Sequence, residues 1–132
     1  MRLGNKLKEL NQGILTLQQN LGDAWSDTVV IIVSEFGRTV AANGTRGTDH
    51  GTGGLAFLLG GSVKGGKIIG KWPGIAEQHQ YQNRDLAPVN DYRSLFKSLL
   101  HDHLGVGENH LEDTVFPGSR QARMFEGLIR PA

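Results

Sequence analysis

The 132 residues fit one compact domain spanning 1–132, and shares of 38% hydrophobic and 20% charged residues are those of a globular chain, not a disordered one. A formal net charge of +1 argues against a broad nucleic-acid footprint and against a polybasic membrane surface, so neither partner is expected. Without cysteine there are no disulfides, zinc–thiolate sites or thiol nucleophiles, and no apolar run is long enough to cross a bilayer.

The opening Met1-Arg2-Leu3-Gly4-Asn5 leads into a charged, helix-like pattern, not the apolar core of a signal peptide. Leu3, Leu7, Leu10, Ile14, Leu17 and Leu21 recur at spacings of four and three, which predicts a helix over 3–21, packed by that face across a sheet. Gly22 and Asp23 end it. Thr28-Val29-Val30-Ile31-Ile32-Val33 is β-branched without alternation, the pattern of a central parallel strand covered on both faces. After Ser34-Glu35-Phe36-Gly37-Arg38, residues 39–54 are polar and glycine-rich, hence loop. Leu55-Ala56-Phe57-Leu58-Leu59 predicts a second buried strand, and Lys67-Ile68-Ile69-Gly70 a short third one behind a Gly65-Gly66 turn.

An irregular stretch follows from Trp72 to about Pro88. Asp91 is placed to cap a second helix whose Tyr92, Leu95, Phe96, Leu99, Leu100 and Leu104 form an apolar stripe ending at Gly105. Phe116-Pro117-Gly118 reads as a turn. Two or three buried strands and two helices make a small sheet for strands that need cover on both faces, so the chain reads as a piece of something larger.

In open α/β sheets, ligands sit beyond the carboxyl ends of the strands. Glu35 follows the first strand and Arg38 stands three residues on, placed to meet an anion or to pair with Glu35; an ordinary surface pair in a turn fits the same positions. Gly47-Thr48-Asp49-His50-Gly51-Thr52-Gly53-Gly54 offers an imidazole and a carboxylate on a tight loop, a metal-ligand combination, although Asp49 in an Asx turn and His50 at a strand end fit equally. Residues 61–67 nearly spell a phosphate-binding loop, but Ile68 stands where a magnesium-binding Ser or Thr belongs, so a nucleotide site is rejected. His101 and His103 point to different faces of one helix and cannot chelate together. His79 and His110 are isolated. Ser34 lacks the flanking glycines of a nucleophile elbow, and Trp25 and Trp72 are assigned to packing.

As a set, Val33-Ser34-Glu35-Phe36-Gly37-Arg38-Thr39, the loop from Asn43-Gly44-Thr45 to Gly51, Leu58-Leu59-Gly60-Gly61 and Asp85-Leu86-Ala87-Pro88 resemble an uncharacterised bacterial family related to sulfatases, in the alkaline phosphatase superfamily. The resemblance runs from about Leu3 to Pro117. It implies an α/β, alkaline-phosphatase-like fragment, a mostly parallel sheet flanked by helices, forming the C-terminal part of a larger domain. Full-length relatives of several hundred residues are often exported by the twin-arginine route.

In that superfamily a strand ends in Ser-Asp-His-Gly with two metal ligands, a later glycine-rich loop supplies a His, and an Asp-x-Ala-Pro-Thr segment opens a helix. Here Ser34-Glu35-Phe36-Gly37, His50 and Asp85-Leu86-Ala87-Pro88 occupy those places. The resemblance therefore implies Glu35, Asp49 and His50 as ligands of a divalent metal (zinc, manganese, calcium or magnesium), and Arg38 as the anion holder. Phe36 replaces a ligating His, Gly61-Ser62 replaces Gly-Pro, and Val89 replaces Thr. The nucleophile segment and the later Asp-and-His pair have no counterpart, which implies a hydrolase-type fragment inactive alone and served by a complementary N-terminal segment. The alternative is a non-enzymatic assembly or binding module, a homo-oligomer associating through exposed sheet edges.

Overall fold

In the computed structural model, which describes residues 2–131 and all their side chains but that of Arg2, the leucine periodicity at the amino end produces α1, Arg2–Leu21. The helix runs into a 3-10 turn, Gly22–Asp27, where Gly22 takes a φ of +51° that favours glycine. It is not packed across a sheet: Leu3 stays 69% exposed and Leu7 48%. That expectation is corrected, because the sheet is too small to offer α1 a face.

The β-branched run yields β1, Val30–Ile32. With Gly37–Arg38 as β2 and His50–Gly51 as β3, the second buried strand becomes β4, Phe57–Leu59. β1 and β4 do share a sheet, but they pair antiparallel, Val30 opposite Leu59 and Ile32 opposite Phe57, and among the described residues this sheet has two strands. β2 and β3 form a second antiparallel pair. The fold is thus mixed α/β with small antiparallel sheets, and the expected mostly parallel sheet is corrected. A parallel pair needs a crossover, usually helical. The glycine-rich connection from β1 to β4 instead folds into the β2–β3 ladder and brings the chain back alongside β1. The strand at 28–33 is accordingly not central; its residues 28–32 are half-buried and Val33 is exposed.

The third strand expected over 67–70 does not form. Gly66 and Gly70 adopt φ of +79° and +110°, which breaks extended backbone. The backbone N–H and carbonyl of Lys71 are taken by the side-chain amide of Asn90, at 2.8 and 2.9 Å, not by a neighbouring strand. Trp72, assigned to packing, is 71% exposed.

α2 spans Tyr92–Asp102, and Asp91 caps it by accepting a 2.8 Å bond from the Arg93 N–H. Its end is an αL stop: Gly105, at φ +69°, donates to the His101 carbonyl, and Val106 donates to that of Leu100. The buried face is not the apolar stripe. Ser94, Lys97 and Ser98 are the buried residues of α2, and Leu95, Phe96, Leu99 and Leu100 are half-buried. This inversion is tolerated because Lys97 and Ser98 find partners there. Ser98 Oγ donates to Ser94 O at 2.8 Å and accepts from Phe125 N at 2.7 Å. Lys97 Nζ donates to Glu112 Oε1 at 3.1 Å and to Ser119 O at 3.0 Å.

α3, Glu108–His110, continues into a π-helical turn, Leu111–Val115, which carries Leu111 into full burial. Phe116-Pro117-Gly118-Ser119 closes as a type II turn, with Gly118 at φ +73° and Ser119 N bonded to Phe116 O. The tail then returns to the segment after β4: Val63 bridges Ile129, Lys64 N donates to Leu128 O, and Arg130 N donates to Ser62 O. Among the described residues, Val63, Leu111, Ala122 and Leu128 are the buried apolar ones. The core therefore lies mainly in the carboxyl-terminal half, with Val63 joining it from the segment after β4.

Candidate functional site

Three loop segments meet at the β2–β3 ladder. Arg38 stands opposite His50, and Gly37 opposite Gly51. Beyond the pair, Arg38 N donates to Gly53 O at 2.8 Å and Thr39 N to Asp49 O at 3.1 Å, while Asp49 N donates back to Thr39 Oγ1 at 3.1 Å. The third segment docks on both: Leu86 N donates to Arg38 O, Gly53 N to Leu86 O, and Val40 N to Arg84 O. The glycines are steric requirements here. A Cβ on Gly37 would overlap the Gly53 carbonyl, and one on Gly51 would lie 2.7 Å from Arg38 O and 2.9 Å from Asp85 Cγ.

Asp85 joins the segments through its side chain. It is only 3% exposed, accepts from Thr52 Oγ1 at 2.9 Å on one oxygen, and from Arg84 Nε at 2.7 Å on the other. The Arg84 hydrogen bond, reinforced by Thr52 and opposed by burial, holds its carboxyl below the usual carboxylate range. Arg84 is shifted up in turn, chiefly by the same bond. Asp85 entered the sequence reading only as part of a motif. The signal that marks it as a keystone is an aspartate leading directly into Leu86-Ala87-Pro88 within a polar stretch; Thr52, between two glycines, carried no such signal.

Around this knot stand the four candidate residues. The Phe36 ring stacks on the His50 imidazole, centroids 4.2 Å apart and planes within 2°. Glu35 immediately precedes Phe36 in the bend after β1, where Ser34 Oγ accepts from Phe36 N at 3.2 Å. Tyr92 Oη, at the start of α2, reaches Ser34 O at 3.4 Å. Arg38 Nη1 donates to Thr48 O at 3.0 Å. Asp49 Oδ1 accepts from Asn43 Nδ2 at 2.8 Å, and Asn43 Oδ1 accepts from the N–H groups of Thr45 and Gly47, both at 3.0 Å. The Asx-type turn of this loop thus belongs to Asn43, not to Asp49.

The structure brings Arg38, Asp49 and His50 onto one ladder and ties Glu35 to it through its neighbour Phe36. All four side chains are exposed. No group of three or more His, Asp and Glu side chains able to hold a metal ion occurs among the described residues. Catalytic zinc takes three protein ligands. As arranged, Glu35, Asp49 and His50 do not make that set, and Asn43 already engages Asp49.

The family model described as protein of unknown function (DUF1501) matches residues 1–115. No curated protein and no solved structure matches the chain.

Proposed function

We propose that this chain, which belongs to the DUF1501 family, contributes one loop face of a sulfatase- or alkaline-phosphatase-like hydrolase site and does not turn over ester by itself. What carries this reading is the ladder on which Arg38, the Asp49–Gly53 segment and Asp85-Leu86 converge, because these are the segments on which the resemblance to that superfamily rests. Arg38 is the anion holder in this reading. Glu35, Asp49 and His50 are partial ligands for zinc, manganese, calcium or magnesium, to be completed by donors of a complementary segment. Members of a catalytic unit lose most of their effect when one is missing, and the chain has no convincing nucleophile.

Purified chain incubated with aryl phosphate, phosphodiester or aryl sulfate, each with the four metals in turn, is expected to show no hydrolysis above buffer. A metal-dependent rate abolished by His50→Ala would overturn the inactivity. Calorimetric titration is expected to show weak metal binding lost in His50→Ala; binding unchanged in that variant removes His50 from the ligand set.

A second reading, assembly with further copies, draws on the exposed leucines of α1 and the open edge of β1. Light scattering at high micromolar concentration tests it, and a clean monomer counts against it.

A further inference from the structure

Among the described residues, the two most exposed large apolar side chains are Ile68 at 102% and Trp72 at 71%, both in the loop between β4 and α2. Ile69 and Ile75 in the same loop are exposed as well. Every charged side chain from residue 63 to 76 is a lysine: Lys64, Lys67 and Lys71, all exposed. Arg130 lines a shallow depression with Gly65 and Gly66 and adds a fourth cation beside them.

The loop is held, not frayed. Lys64 N donates to Leu128 O at 2.8 Å, Lys67 Nζ to Gly127 O at 2.6 Å, and Asn90 clamps both backbone groups of Lys71. A braced backbone thus presents an isoleucine and an indole to solvent between ammonium groups.

We propose that this loop is a docking tip for an anionic lipid surface. Tryptophan settles at the headgroup level, and lysine lays its stem along apolar material while its ammonium meets phosphate. Basic side chains near an anionic leaflet gain favourable energy that fades within a Debye length. The apolar side chains decide against an acidic peptide: a fully exposed isoleucine beside an exposed indole gains from an acyl phase, which a string of carboxylates does not offer. The near-neutral total of +1 conceals this local charge: residues 63–76 carry no acidic side chain, with Glu77 directly after them and Glu126 next to the Gly127 that Lys67 meets. No helix among the described residues is long and apolar enough to cross a membrane, so the contact is superficial.

The test uses the full chain carrying Trp25→Phe, so that Trp72 is the single indole, with circular dichroism confirming the fold. With vesicles of equal parts phosphatidylcholine and phosphatidylglycerol, Trp72 emission shifts to the blue and is quenched by brominated acyl chains. Partitioning exceeds that on pure phosphatidylcholine by about a hundredfold at low salt and falls as salt rises. Lys64→Ala with Lys71→Ala cuts it by about tenfold, and Ile68→Ser removes the quenching.

Equal binding to both vesicle types, or no binding, overturns the proposal. So does vesicle binding without Trp72 quenching, which would place the contact on the leucines of α1. A Trp72 response to polyglutamate but not to vesicles would reassign the tip to an acidic protein partner and overturn it equally.

Discussion

α1 and α2 are both amphipathic by pattern, yet they meet different fates. α2 is capped by Asp91, closed by Gly105, and held along its buried face by Glu112, Ser119 and Phe125. α1 has no basic side chain in its last turn, and it leaves Leu3, Leu7, Leu15 and Leu17 exposed. A helix of this length without tertiary packing is marginal in water, since most helical stability in proteins comes from the buried face. The contrast teaches that an apolar stripe is not itself a packing contact. In α2 the stripe is only half-buried, and the residues that lock the helix are a lysine and two serines.

Core truncations should separate the two halves most sharply. Lys97→Ala removes the ammonium from beside Glu112, which keeps Arg120 at 3.4 Å, and leaves the Ser119 carbonyl with the Ala122 N–H alone. It should cost about 3 kcal/mol in urea unfolding. Leu111→Ala, at a fully buried position, should cost a similar amount, about 3 kcal/mol. A loss below about 1 kcal/mol in both would show that the carboxyl-terminal half is not the stable unit.

Acid should act next, and on the ladder and the α2 cap. Asp85 is held low chiefly by its Arg84 hydrogen bond, and Asp91 chiefly by Arg93. A carboxylate whose folded pKa is depressed contributes stability above its unfolded value, near about 4, and loses it as pH falls through the folded value. Stability followed by chemical denaturation should therefore be flat from neutral pH to about 5 and decline below about 4. Asp85→Asn should flatten part of that decline; an unchanged profile would remove Asp85 from the linkage.

The smallest effect belongs to α1. Leu3→Ala and Leu7→Ala should change stability by less than about 0.5 kcal/mol in dilute solution, because alanine keeps the helix and little is buried. A larger loss that grows with protein concentration would show α1 covered by another copy.

The same contrast separates legible from hidden features. The spans of α1 and α2, the Asp91 cap, the stop at Gly105 and the turn at Pro117-Gly118 were readable, and the structure has them. The β1–β4 partnership was readable; its direction was not. At the candidate site, Glu35, Arg38, Asp49 and His50 stood out by residue type. Phe36 stacked on His50 and the role of Asp85 with Thr52 did not, because each depends on a partner at least fourteen positions away.

Periodicity, caps and glycine stops depend on residues within a turn or two, so the sequence by itself determined α1, α2 and the runs that become β1 and β4, while the run at 67–70 formed no strand and the stretch 39–54, read as loop, supplied β3. Only the tertiary structure decided that β4 returns antiparallel, that Lys97 goes inside with Glu112, and that Arg38 faces His50. Those outcomes turn on which distant groups satisfy one another's hydrogen bonds and fill one another's space, and no local window of the chain contains both partners.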